Sequence, residues 1–175
     1  TFDADADADY TAMGGRTRTE QYKDKEGNVQ TRTHTDWYHT HGHVQEHFDD
    51  ILEKAVNTEN AAFLSQIEPY DMGRLVSYAP EYLSGCMSQC YNVDLEKASN
   101  SARDDMEQRL RSLASDDVLS RYDSVKDVRL HSRYRNESYK HILVPVYSTS
   151  YYYEGKLYQV AITGQTGNIH GAYPK

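Results

Sequence analysis

The sequence predicts an α+β fold: antiparallel β meanders at both ends flanking a helical middle. Three observations carry this. Residues alternate with period two near both ends, an apolar stripe of helical period runs from Leu95 to Leu113, and Glu154-Gly155 sits between two strand-like runs. Strands, then helices, then strands argue against a βαβ arrangement. The 175 residues suffice for one domain with a core. The alternative is two closely packed halves, a β-rich 1–66 and a 67–175 part holding the helix and the terminal meander.

At the start, Asp3, Asp5, Asp7 and Asp9 alternate with Ala4, Ala6 and Ala8. A strand so patterned has one acidic face and one of small apolar residues. Gly14-Gly15 reads as a turn, and Arg16 to Tyr22 alternates again. These two strands are expected to pair the Asp row with Arg16 and Arg18. Lys23 to Asn28 is a polar turn, and Val29 to His41, rich in Thr, Trp and Tyr, is a further strand.

From Phe48 the period is unclear, and FDDILEKAV either finishes a strand or opens a helix. Glu59 to Ile67 reads as a short helix before Pro69. Pro80 suits the first turn of a helix over 79–91, whose stripe is Tyr82, Leu83, Cys86, Met87 and Cys90. Cys86 and Cys90 are expected as reduced core residues, because a disulfide between helical i and i+4 positions is strained. Asp94 is an N-cap. The helix after it, about 94–114, carries Leu95, Ala98, Ala102, Met106, Leu110 and Leu113, and is expected to pack on the C-terminal sheet.

Val125 to Tyr134 alternates, with Val128, Leu130 and Tyr134 on one side, and Arg135–Ser138 is expected to turn the chain. A two-residue loop at Glu154-Gly155 pairs Tyr151 with Tyr158, Thr149 with Val160 and Tyr147 with Ile162. That register places Leu143, Tyr147, Tyr151, Tyr158, Val160 and Ile162 on a face expected to be buried. Ser148, Ser150, Gln159 and Thr163 lie opposite.

Composition limits function. The formal net charge is -8, from 27 acidic and 19 basic residues, so this segment alone is expected to be a poor nucleic-acid binder. No apolar run approaches the roughly 18 residues that span a bilayer, and no signal peptide is evident; a cytoplasmic location is expected. The chain reads as a fragment, since it opens without Met inside a strand-like pattern. Sixteen Tyr against 3 Phe suit thin sheets with a half-wet face, or a binding surface.

Candidate chemistry is sparse. His39, His41 and His43, with His34 and His47 nearby, would form a row on a strand able to bind zinc, nickel or copper. A metal site also needs outer partners and ligands from several elements, so none is assigned. The Asp row spaces same-face carboxylates nearly 7 Å apart, too far for several to share a calcium ion. There is no GxSxG elbow. Asp104-Asp105 and Asp116-Asp117 read as solvated, and Gly164-Gln165-Thr166-Gly167 as a turn. No catalytic set is expected, and no cofactor in this segment.

Three strings, Ile67–Gly85, Tyr91–Ala98 and Ile142–Pro174, resemble a family of bacterial proteins from anaerobic Gram-positive species. Matching residues include Tyr70-Asp71, Tyr78, Pro80, Tyr82-Leu83, Gly85, Val93-Asp94, Pro145, Gly155-Lys156, Tyr158, Gly164 to Gly167, Gly171 and Pro174. Tyr147 stands for the usual Trp, Thr163 for Asn, and Cys86 and Cys90 depart from the pattern. That family carries an N-terminal zinc ribbon of the transcription-factor-IIB type and is often labelled primosomal-helicase-like. The paired CxxC motifs are absent here, so the chain is similar to its C-terminal portion. The resemblance implies zinc only in the ribbon, no known activity, and as partner a protein or the chain's own N-terminal domain. A nucleic-acid role would act through the ribbon. A weaker similarity, at Tyr158–Val160 and Thr166–Ile169, is to PepSY-type domains, which implies a binding or inhibitory module.

Overall fold

The computed structural model describes residues 1–23, 29–57 and 68–174. About half of these lie in strands and a fifth in helices, so the protein is mostly β and the expected α+β class with a helical middle is not what forms. The elements are β1 (Phe2–Lys23), β2 (Val29–Ile51), α1 (Leu95–Leu119), β3 (Ser124–Tyr139), β4 (Val146–Tyr153), β5 (Lys156–Thr163) and β6 (Ile169–Gly171). They build two antiparallel three-stranded sheets, ordered β2-β1-β3 and β4-β5-β6. The chain divides into two compact units interleaved in sequence, not into the halves 1–66 and 67–175. A sheet–helix unit holds Phe2–Ile51 and Ala102–Tyr139. A hairpin unit holds Thr1, Leu52–Ser101 and Lys140–Lys175.

In the sheet–helix unit β1 is the central strand. Gly14-Gly15 does not turn the chain; β1 runs through it and pairs with β2 from Phe2↔Ile51 to Lys23↔Val29. The glycines serve close approach instead. A Cβ on Gly14 would run into the Tyr122 ring, and one on Gly15 into Ser124. Phe48 to Ile51 finishes β2 rather than opening a helix. The expected turn at Lys23–Asn28 lies outside the described residues, apart from Lys23. The expected helix at Glu59–Ile67 lies wholly outside them.

The alanine face of β1 explains where α1 goes. Ala4, Ala6, Ala8 and Ala12 are buried, and with no side chain beyond Cβ they let a helix lie close to the strand. Ala102, Met106, Leu110, Ala114 and Val118 of α1 fill that space with Phe48, Val44, Leu130 and Tyr134. The helix therefore packs on the β2-β1-β3 sheet and not on the C-terminal one. Asp94 caps its start by accepting from the Lys97 N–H at 2.8 Å. It outlasts the expected end at 114 because Ala114 and Val118 continue the stripe. Leu95, the first residue of the expected stripe, is exposed.

β3 continues through Arg135–Ser138, which is strand and not the expected turn. Two bulges adjust it, with Asp127 and Asn136 in the left-handed region at φ of 55° and 53°. Each exchanges the faces of the strand beyond it. The first brings Val125 to the helix side, and the second brings Ser138 opposite Asp3.

In the hairpin unit the expected register holds: Tyr151↔Tyr158, Thr149↔Val160 and Tyr147↔Ile162 are partners. Glu154 and Gly155 both have positive φ, 48° and 75°, as the tight two-residue loop requires. The expected faces hold in part: Ser148, Ser150 and Gln159 are exposed and Tyr158, Val160 and Ile162 half-buried, but other positions depart. Ala161 and Thr163 are buried, while Tyr147 is 70% and Leu143 50% exposed. The expected helix over 79–91 shortens to a 3-10 turn at Pro80–Leu83, and Cys86 and Cys90 are free thiols on exposed residues rather than core.

Shortening Leu110 on the buried stripe should cost about 2–5 kcal/mol, against about 0.5 kcal/mol or less for exposed Leu95. Urea unfolding of Leu110→Ala and Leu95→Ala checks both; equal losses would place the helix on the wrong sheet.

Candidate functional site

The open face of the β2-β1-β3 sheet concentrates the charged chemistry of the sheet–helix unit. Because β1 is central, each aspartate on its odd-numbered face has a strand on either side. Asp3 accepts from the Asp50 N–H on β2 and from Ser138 Oγ on β3, both at 2.9 Å. Asp5 accepts from His47 Nδ1 at 2.6 Å and from Asn136 Nδ2 at 2.7 Å. Asp9 accepts from His43 Nδ1 at 2.8 Å and from Arg133 Nη2 at 3.1 Å. Asp7 is the buried member, 5% exposed. One of its oxygens takes Arg133 Nε and Nη2 at 2.9 and 2.7 Å, the other Arg135 Nη2 at 2.7 Å. The result is a ladder in which Asp3, Asp5 and Asp9 each tie β1 to both neighbours.

The electrostatics follow from these contacts. Hydrogen bonds from Asn136, then His47, hold the Asp5 carboxyl below its ordinary value. The Arg133 hydrogen bond does the same for Asp7, and that of His43 for Asp9. The Asp5 carboxylate in turn raises His47, helped by Asp49 and Asp3. On the other side of its ring, His43 Nε2 lies 3.1 Å from Gln45 Nε2.

The expected partners of the Asp row, Arg16 and Arg18, are elsewhere. Arg16 lies over the Tyr122 ring at 5.5 Å, and Arg18 bridges Asp36 at 2.9 Å. The actual partners on β3, Arg133, Arg135, Asn136 and Ser138, fell within or beside the expected turn. One signal could have found them: Arg129, His131, Arg133 and Arg135 alternate without a Gly or Pro to stop the strand.

His39, His41 and His43 do share the exposed odd-numbered side of β2, opposite Met13, Thr11 and Asp9. Strand spacing keeps alternate residues nearly 7 Å apart, so the row does not converge on one ion. Among the described residues, the group of acids that does converge is Asp3, Asp49 and Asp50, with oxygens within 4.8 Å of one another.

On the helix side a polar cluster gathers about one buried tyrosine. Tyr10, 2% exposed, donates to the Asp117 carboxylate, and Arg121 Nη2 donates to the Tyr10 hydroxyl at 2.8 Å and to Asp117 at 2.9 Å. Burial first, then Asp117, pushes the phenol up to about 12. Gly42 leaves room for the ring, since a Cβ there would meet it at 2.6 Å. The cluster pins the end of α1 to β1.

In the hairpin unit the Gly164–Gly167 turn does more than connect strands. The Gln165 amide clamps the backbone of Asp71 at both ends: the Asp71 N–H donates to Oε1 and Nε2 donates to the Asp71 carbonyl, each at 2.7 Å. Two strings that are distant in sequence thus meet. Beside them, the face of β4 and β5 carries Tyr147, Tyr151, Tyr153 and Tyr158, with Tyr151 stacked on Tyr158 at 5.4 Å.

No family model matches the chain, and no solved structure does. Over 113 residues, 63% of its length, it is 30% identical to YdjG of Bacillus subtilis, an uncharacterised protein. The chain spans about a third of that relative, 32% of its length. This likeness covers part of each chain and brings no activity with it. No helix among the described residues is long and apolar enough to cross a membrane.

The Asp5–His47 pair gives the sheet–helix unit a pH window. His47 stabilises fully below its ordinary value of 6.5 and loses that effect as pH rises through its raised folded value. Asp5 stabilises above its ordinary 3.8 and loses that effect as pH falls through its lowered folded value. Stability should therefore decline as pH rises from about 6 to 8, and His47→Gln should flatten that decline. Urea midpoints across this range check it; an identical slope in the variant would remove His47 as the cause.

Proposed function

We propose that this chain is an interaction module without chemistry of its own, serving a zinc-ribbon domain of the same polypeptide. The observation that carries this is the exposed aromatic and aliphatic surface of the hairpin unit. Tyr147, Tyr152 and Tyr173 are 70%, 77% and 74% exposed, and Ile169 68%. Tyrosines are enriched where proteins dock, because the ring buries area while the hydroxyl keeps a hydrogen-bonding partner. Tyr151 and Tyr153 share the Tyr147 face of the hairpin, and Tyr152 and Leu157 are exposed on the opposite one. A monomer seldom leaves so much apolar surface without a partner.

The charged face supports the same reading from the other side. The carboxylates of Asp5, Asp7 and Asp9, which an enzyme would need poised near neutrality, are held below their ordinary values by interstrand hydrogen bonds. They are spent on holding strands together. The ribbon enters through the family resemblance, and the Gln165–Asp71 clamp joins two of its matching strings.

The test compares this chain alone with the same chain joined to a zinc-ribbon domain. Hydroxyl-radical labelling of Tyr147, Tyr151 and Tyr152, read by mass spectrometry, should fall severalfold in the longer protein. Equal labelling in both would overturn the intramolecular reading.

A further inference from the structure

Beyond Gly15 the sheet drops from three strands to two. β3 pairs with β1 as far as Gly15↔Ser124 and then ends, whereas β1 and β2 continue together to Lys23↔Val29. Residues 16–23 of β1 thus form one strand of a two-stranded arm roughly 25 Å long, and every one of them is exposed. Such a ribbon is marginal by itself in water; a third strand is what ordinarily secures it.

The free edge of the arm is defined. Asp123 N–H donates to the Gly15 carbonyl at 3.0 Å and the Thr17 N–H donates to Asp123 Oδ2 at 2.8 Å. Odd-numbered residues therefore direct their backbone groups away from β2. Asp123 closes the edge as far as the Thr17 N–H. Past it, Thr19, Gln21 and Lys23 present N–H and C=O groups that no strand among the described residues covers.

We propose that this edge pairs with the same edge of a second copy, antiparallel about a two-fold axis at Thr19. In this register the two Thr19 residues exchange a reciprocal pair of backbone hydrogen bonds. Arg18 of each copy then lies opposite Glu20 of the other, giving two symmetric opposite-charge pairs. Thr17 faces Gln21, whose N–H can reach the Thr17 carbonyl, while the Thr17 N–H stays with Asp123 and Arg16 with the Tyr122 ring. Moving the axis to Glu20 instead sets like charges opposite each other, which disfavours that alternative. Arg18 already reaches Asp36 at 2.9 Å with its side chain 66% exposed, and its guanidinium has donors for both acids. The product is a continuous four-stranded sheet of two arms, an isologous contact that closes on itself and goes no further.

Sedimentation equilibrium of the 175-residue chain over a range of concentrations tests this. A reversible monomer–dimer equilibrium is expected, weakened at least tenfold by Arg18→Glu and by Glu20→Arg. The double exchange R18E/E20R should restore it, because the pairs re-form with signs reversed. Thr19→Pro removes an N–H that β2 does not use, so the fold is retained and dimerisation is lost. In a background with Cys86→Ser and Cys90→Ser, Thr19→Cys should form a disulfide-linked dimer across the axis, since hydrogen-bonded antiparallel partners stand about 5.5 Å apart at Cα. A chain that stays monomeric at every concentration overturns the proposal. So does a dimer indifferent to all of these changes, which would point to the outer edge of β2.

Discussion

The structure of the sheet–helix unit depends on the two-sidedness of β1. A central strand must satisfy neighbours on both edges and both faces at once. On one face, Asp3, Asp5 and Asp9 take a donor from β2 on one side and from β3 on the other, and Asp7 takes two arginines from β3. On the other face, alanines keep the strand thin enough for α1 to seat Met106 and Leu110 against it. Neither set works without the other, because a shift of one residue would put carboxylates under the helix and methyls where arginines wait. The bulges at Asp127 and Asn136 belong to the same constraint. They re-aim β3 so that its donors and its apolar residues stay in phase with β1.

How much of this the sequence discloses depends on the range of the interaction. Local signals read correctly: Asp94 as a cap, the apolar stripe of α1, and the register set by Glu154-Gly155. Long-range choices did not. The Asp row was legible as a face, but its counter-charges lie more than a hundred residues away on β3 and were assigned to the nearer Arg16 and Arg18. The helix was assigned to the sheet that follows it, when the deciding feature was the size of the alanines at the far end of the chain. Polarity also misled in the hairpin unit, where Thr163 and Ala161 are buried and Tyr147 is exposed. Gly14-Gly15 resembled a turn because glycine signals both turns and close contacts, and only the position of Tyr122 decides between them.

The candidate chemistry sorts along the same line. Period two placed His39, His41 and His43 on one side, yet the same period keeps them too far apart to converge. His43 and His47 instead found aspartates across the strand. The Gln165 clamp could not be read at all, since an amide side chain in a turn carries no sign of the backbone it will hold. The hairpin unit is left with an exposed tyrosine surface, and the sheet–helix unit with a bare strand edge.

The dependence on β1 is tested most directly by exchanging two adjacent residues, Asp7→Ala with Ala8→Asp, which leaves composition and net charge unchanged. Thermal unfolding followed by circular dichroism is the measurement. Loss of the cooperative transition is expected, because a carboxylate then faces Leu110 while Arg135 loses its Asp7 acceptor and Arg133 keeps only Asp9. A transition with the same midpoint as the parent chain would contradict the claim that strict alternation along β1 organises the fold.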